Sequence, residues 1–138
     1  MRVLIIDAQG GGIGRALTQR LREAAPDLDL VCVGTNSLAT EAMLRAGASR
    51  AATGENAVVF CAARADIIAG PVGIVIADAM LGEITPKMAE AVGRSRAKRI
   101  LIPAGRCDTL VAGVRDLPLG DLVRSAAEEI LKSLAECR

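Results

Sequence analysis

The sequence predicts an α/β fold: a single Rossmann-like domain over 1–138, built on a doubly wound, mostly parallel five- or six-stranded sheet with helices on both faces. Three observations carry the prediction. Short runs rich in Val, Ile and Leu (Arg2 to Asp7, Asp29 to Gly34, Arg99 to Ile102) suit strands buried on both faces. Segments with helical spacing of apolar residues lie between them. The first strand also leads directly into a glycine-rich turn, Gln9 to Gly14, that opens a helix.

Taken in order, Arg2 to Asp7 is the first strand. Gly12 to Ala24 follows as a helix, with Ile13, Leu17 and Leu21 on one stripe and Pro26-Asp27 as its stop. Asp29 to Gly34 is a second buried strand. Ser37 is the expected N-cap of a helix to Ala46, with Gly47 as its C′ residue. A short strand at Arg50 to Thr53 precedes a helix from Gly54 to Arg64, with Thr53 as cap. Asp66 to Gly70 is a strand stopped by Pro71. Gly73 to Leu81 fits a helix or a strand, and the need to connect back to the sheet favours a helix. Thr85-Pro86 starts the next helix, Thr as N-cap and Pro at the first helical position. Arg99 to Ile102 is a strand, Thr109 to Ala112 a candidate last strand, and Leu119 to Ala135 a final helix.

Composition removes several function classes. The chain has 138 residues, 51% of them hydrophobic and 24% charged, with a net charge of +1. This is globular and lacks a basic footprint for nucleic acid. Aromatic residues make up 1%, so stacking platforms for single-stranded bases are missing too. Histidine is absent, which excludes a His general base, a His metal ligand and a Ser-His-Asp triad. The four cysteines, Cys32, Cys61, Cys107 and Cys137, form no CxxC pair. Only Cys107, in an expected loop after a strand, is a candidate reactive thiol, and an incidental loop thiol is the plainer reading. No signal segment is visible and no apolar run approaches the ~20 residues of a membrane span. The expectation is a cytoplasmic protein that binds neither membrane nor nucleic acid.

The central motif is Asp7-Ala8-Gln9-Gly10-Gly11-Gly12-Ile13-Gly14. The first N–H groups of a helix lack intrahelical partners, and the helix dipole adds partial positive charge. Glycines let a phosphate approach without an intervening Cβ. The expected cofactor-binding residues are therefore Gln9, Gly10, Gly11, Gly12, Ile13 and Gly14, joined by Thr35 and Asn36 at the end of the second strand. The match departs from GxGxxG: with Gly14 as third glycine, the first position holds Gln9. Against the TGxxxGIG turn of short-chain dehydrogenases, Gly12-Ile13-Gly14 fits but Asp7-Ala8 stands where TG belongs. The second strand also ends without the acid that grips an NAD ribose.

Asp7 has two readings: a carboxylate that accepts hydrogen bonds from the turn's own N–H groups, or one that binds Mg²⁺ or a substrate hydroxyl. Glu55, Asp78 and Cys107 are the other catalytic candidates, Asp78 and Glu83 approaching from the fourth crossover. Thr53 to Asn56 and Gly82 to Pro86 look more like caps and turns. No set of residues forms a metal site. The dehydrogenase likeness ends at the turn, because that family needs a Tyr-x-x-x-Lys pair and the chain has no Tyr.

Over nearly its whole length the chain is similar to a small bacterial family of uncharacterised proteins, the domain of unknown function family 3842. The likeness is carried by IIDAQGGGIG, VGTN at 33–36, ATGEN at 52–56, GPVGI at 70–74, MLGEITP at 80–86 and ILIP at 100–103. It implies a stand-alone bacterial domain and assigns no catalytic or binding residue.

The leading expectation is a nucleotide- or dinucleotide-binding protein of regulatory or sensing type, its ligand NAD, NADP, another nucleotide or a phosphorylated metabolite. A small enzyme acting on a phosphorylated metabolite is the second reading. An interaction module with an empty turn is the third. Ile74, Val75, Ile76 and Met80 are the candidate exposed face for a homodimer.

Overall fold

The computed structural model describes residues 1–104 and 108–137. Among them, β1 (Arg2–Asp7), β2 (Asp29–Gly34), β3 (Arg50–Thr53), β4 (Ile67–Pro71) and β5 (Lys98–Ile102) alternate with α1 (Gly12–Ala24), α2 (Ser37–Arg45), α3 (Glu55–Ala62) and α4 (Pro86–Arg94), and α5 (Leu119–Glu136) closes the chain. The strands form one parallel sheet in the order β3-β2-β1-β4-β5. This is the Rossmann order, with its topological switch point between β1 and β4. Asp7 pairs with Gly34, so the carboxyl ends of β1 and β2 lie abreast where the glycine turn begins.

Alternation along β1 divides the interior into two layers. Leu4, Ile6 and Ala8 face one way, onto Val58 and Ala62 of α3 and Met88, Ala89 and Val92 of α4. Val3 and Ile5 face the other way, onto Leu17 and Leu21 of α1, Met43 of α2 and Val123 and Ile130 of α5. Each fully buried Leu or Ile contributes about 1.5–3 kcal/mol of transfer free energy. Apolar sets on both faces are why the strands read as continuous hydrophobic runs.

Several expected boundaries move by one residue. Asn36, not Ser37, is the N-cap of α2, its side chain accepting from the Ala39 N–H. Gly54, not Thr53, precedes α3. Pro71 is the last residue of β4. Thr85 caps α4 with Pro86 at its start, as expected.

Two expectations fail. Thr109 to Ala112 is not a strand. Gly73 to Leu81 is not a helix: a 3₁₀ turn, Val72–Val75, leads into an irregular loop. Asp78, Met80, Leu81 and Gly82 all have positive φ, which no right-handed helix accommodates. The loop instead closes on itself, with the Asp78 N–H donating to the Ile84 carbonyl and the Gly82 N–H to the Asp78 carbonyl. Its apolar residues turn inward. Ile74, Met80 and Ile84 are buried, and Val75 and Ile76 pack against the same core. The segment from Ile74 to Met80 therefore does not present the exposed apolar face expected for a homodimer; Leu81, 96% exposed, is the exception in this loop.

Candidate functional site

At the end of β1 the chain turns tightly. Gln9 and Gly11 both take left-handed backbone angles, and the Gly11 N–H donates back to the Ala8 carbonyl. α1 begins at Gly12 with no side-chain cap at its N-cap residue, Gly11. Asp7 supplies the missing acceptor from the preceding strand. Its Oδ2 accepts the Gly14 N–H at 2.7 Å and its Oδ1 the Ala8 N–H at 2.8 Å. The side chain is buried, and burial pushes its carboxyl above the ordinary range. The Gly14 and Ala8 N–H groups pull the other way, and the negative charge of Glu83 adds to the upward push. Of the two readings of Asp7, the geometry matches the carboxylate that serves the turn's own N–H groups.

The four glycines fall into two pairs. A Cβ on Gly11 would sit 2.7 Å from the Ala39 Cα, and one on Gly14 would sit 2.5 Å from the Met43 sulfur and 2.9 Å from the Asp7 Cβ. These two are required by the packing of α1 on α2 and on β1. A Cβ on Gly10 or Gly12 would meet nothing within 4 Å, and neither residue has positive φ. The fold itself has no need of glycine at these two positions.

Thr35 and Asn36 lie at the end of β2, beside the turn. Both are partly exposed, and their side chains are engaged by Glu83. The Thr35 hydroxyl and the Asn36 amide donate to Glu83 Oε1 at 2.7 and 2.8 Å, and the Gln9 N–H donates to the same oxygen at 2.9 Å. Burial works to raise the Glu83 carboxyl, but the bonds from Thr35, Gln9 and Asn36 together outweigh it and hold it below its usual range. Glu83 thus joins the site from the β4–α4 loop, 48 residues along the chain from Thr35. Sequence reasoning placed it in a segment of caps and turns, and no local spacing links it to the ends of β1 and β2.

Beside the turn, on the side of α5, lies an open cavity of about 470 Å³. Gly10, Gly11 and Gly12 border it, with Met80, Leu119 and Val123 as an apolar wall. Arg15, in the first turn of α1, also lines it, is exposed, and makes no ion pair among the described residues. Sequence reasoning passed over Arg15, although a cation one turn into a helix that follows a glycine motif was the available signal. A larger cavity of about 660 Å³, lined by Pro26, Asp27 and Leu131, lies elsewhere, away from the carboxyl ends of the strands where ligands of such sheets collect.

The remaining candidates do not converge. Glu55 starts α3, after β3 at the sheet edge, and shares no bond with Asp7 or Glu83. Asp78 is exposed at a left-handed turn position, where its backbone closes the loop. Cys107 lies outside the described residues. Among the described residues no three acidic or thiol side chains come together as a cation cage, and no helix is long and apolar enough to cross a membrane.

Solved structures similar to the chain include the following two. One is a dodecameric FMN-dependent UbiX-like decarboxylase from Escherichia coli O157:H7, at 16% identity and a TM-score of 0.47 over 96% of this chain and 94% of that one. The other is a universal stress protein in complex with cAMP, at 19% identity and a TM-score of 0.39 over 73% of this chain and 96% of that one. No curated protein matches the sequence. Residues 2–135 match the family model described as a domain of unknown function, DUF3842, and the chain belongs to that family.

Proposed function

We propose that the protein binds a nucleotide or dinucleotide through its phosphate at the β1–α1 turn, in a regulatory or sensing role rather than as a complete dehydrogenase. The observation that carries this reading is the pair of glycines the fold does not require. Neither Gly10 nor Gly12 has positive φ, and a Cβ at either would meet nothing within 4 Å. A phosphate oxygen approaching the backbone there needs that space. Two further features agree with it. Arg15, which makes no ion pair among the described residues, lines the same cavity and is suited to charge-assisted bonds with phosphate. Met80, Leu119 and Val123 offer an apolar surface to a base or similar ring.

The second reading, an enzyme acting on a phosphorylated metabolite, needs a carboxylate free to reach substrate. Of the carboxylates that reading names, Asp7 has both oxygens engaged by backbone N–H groups, and Glu55 and Asp78 do not converge with it, which favours the binding role.

The test is a thermal-shift screen against NAD, NADP, ATP, GTP and sugar phosphates, with and without Mg²⁺. A ligand at a hundred times its Kd adds about 2.7 kcal/mol of stability, several degrees for a domain of this size. The expected result is a shift with at least one nucleotide that disappears in Gly12→Val. The Cβ of that variant meets nothing within 4 Å, and the melting temperature of the ligand-free variant checks that its two γ-methyls leave the fold intact. No shift from any nucleotide would sink the proposal.

A further inference from the structure

The geometry points to Glu83 as the ribose-reading residue of this site, an assignment that rests on the nucleotide reading above. Its carboxylate sits at the carboxyl ends of β1 and β2, placed to accept from the hydroxyls of an unsubstituted nucleoside ribose and to repel a 2′-phosphate. In a doubly wound sheet, a pyrophosphate on the first helix leaves the adjoining ribose at the end of the second strand, where an acidic side chain takes its 2′-hydroxyl. Here that strand ends Gly34-Thr35-Asn36, without an acid. The β4–α4 loop brings one to the same place.

The placement is held from three sides. Glu83 Oε1 receives the Thr35 hydroxyl, the Asn36 amide and the Gln9 N–H. Asn36 is itself fixed: its Nδ2 also donates to the Gln9 carbonyl at 2.9 Å, and its Oδ1 accepts the Ala39 N–H at 3.0 Å. Oε1 is thereby filled, whereas Oε2 accepts no hydrogen bond among the described residues, and Glu83 is only partly buried. One carboxylate oxygen has lone pairs enough for two neighbouring hydroxyls.

The three donors on Oε1 already favour the ionised carboxylate, so the feature that points to a ligand is Oε2, which has no partner among the described residues. The charge matters to a ligand: it strengthens a bond from a hydroxyl and opposes a second anion.

Isothermal titration of NAD and NADP into the full chain tests the assignment, with Glu83→Gln and Gly12→Val alongside. The wild type is expected to bind NAD at least about tenfold more tightly than NADP. Glu83→Gln should weaken NAD by about threefold to tenfold and bring the two dinucleotides within about threefold of each other. Equal affinities in the wild type, or a preference unchanged in Glu83→Gln, overturn the role of Glu83. Provided that Gly12→Val still abolishes binding, either result leaves the phosphate site at the turn standing. Binding of neither dinucleotide overturns the ribose assignment, and silence across the wider nucleotide screen overturns the phosphate site as well. The wild-type comparison needs no variant, so a misfolded Glu83→Gln protein would not shield the assignment.

Discussion

Asp7 Oδ2 accepts the Gly14 N–H at 2.7 Å, so the residue that ends the first strand also caps the helix that follows the turn. A carboxyl group from inside the protein thus takes one of the orphan donors that helix N-termini usually offer to solvent or ligand. The Gly10 and Gly12 N–H groups make no hydrogen bond among the described residues, and the proposed phosphate would use them. In Asp7→Asn the amide can present its oxygen to only one of the two N–H groups, leaving a buried donor facing a donor. The expected loss is about 1–3 kcal/mol of folding stability, measured by urea unfolding at neutral pH. A loss below about 0.5 kcal/mol would mean that the turn holds its shape without this carboxylate.

Asp7 and Glu83 should give opposite pH signatures. Burial raises the folded-state Asp7 carboxyl above its ordinary value of 3.8. The protonation-linked part of its contribution is therefore fully present below 3.8 and is lost as pH rises through the folded-state value, which leaves the hydrogen bonds to the Ala8 and Gly14 N–H groups as what Asp7→Asn removes at neutral pH. Glu83 lies below its ordinary 4.5, so its contribution is present above 4.5 and is lost as pH falls through the folded-state value. Urea midpoints taken from pH 3 to 7 should show a smaller decline above about pH 4 in Asp7→Asn than in the wild type. The same series should show a smaller acid-side loss in Glu83→Gln. Parallel profiles for all three proteins would contradict both assignments.

The glycines provide a sharper division. Gly11→Ala places a Cβ on the Ala39 backbone and at a left-handed φ, and Gly14→Ala drives one against Asp7 and the buried Met43. Each should cost about 1–3 kcal/mol. Gly10→Ala and Gly12→Ala meet open space and should be neutral, or stabilising by up to about 1 kcal/mol through a stiffer unfolded chain. Differential scanning calorimetry of the four variants checks this. Equal destabilisation across the set would mean that all four glycines serve the fold, which would remove the main support for a phosphate site.

What was legible in the sequence follows from how local each feature is. β1, α1, β2 and β3 were read with their bounds because apolar runs, helical stripes and turn residues lie within a few positions of one another. The stretch from Gly73 to Leu81 was misread because it is apolar without a period, and burial inside an irregular loop leaves the same composition as burial on a helix. What decides that loop is the backbone at Asp78, Met80 and Leu81, non-glycine residues at positive φ that no residue type announces. The glycine turn was legible and so were Thr35 and Asn36 as its neighbours, but their bond to Glu83 depends on the order of strands in the sheet. Arg15 was legible as a helix residue; its place on the cavity required α5 to be positioned first.

Arg15 separates ligand binding from folding. It is exposed, forms no ion pair among the described residues, and borders the cavity beside the turn. Arg15→Ala should leave the melting temperature of the free protein nearly unchanged, as for a surface change within about 0.5 kcal/mol. A hydrogen bond from a guanidinium to phosphate is worth about 1.5–3 kcal/mol, so nucleotide affinity should fall about tenfold to a hundredfold. Arg15→Lys should recover only part of that loss, because an ammonium keeps the charge but not the planar, two-pronged geometry. Raising salt should narrow the difference between wild type and Arg15→Ala, since an exposed charge is screened. Titration of the same nucleotide into the three proteins at two salt concentrations reads out all of these effects. Unchanged affinity in Arg15→Ala would move the phosphate away from the first turn of α1, toward the Gln9 side of the loop.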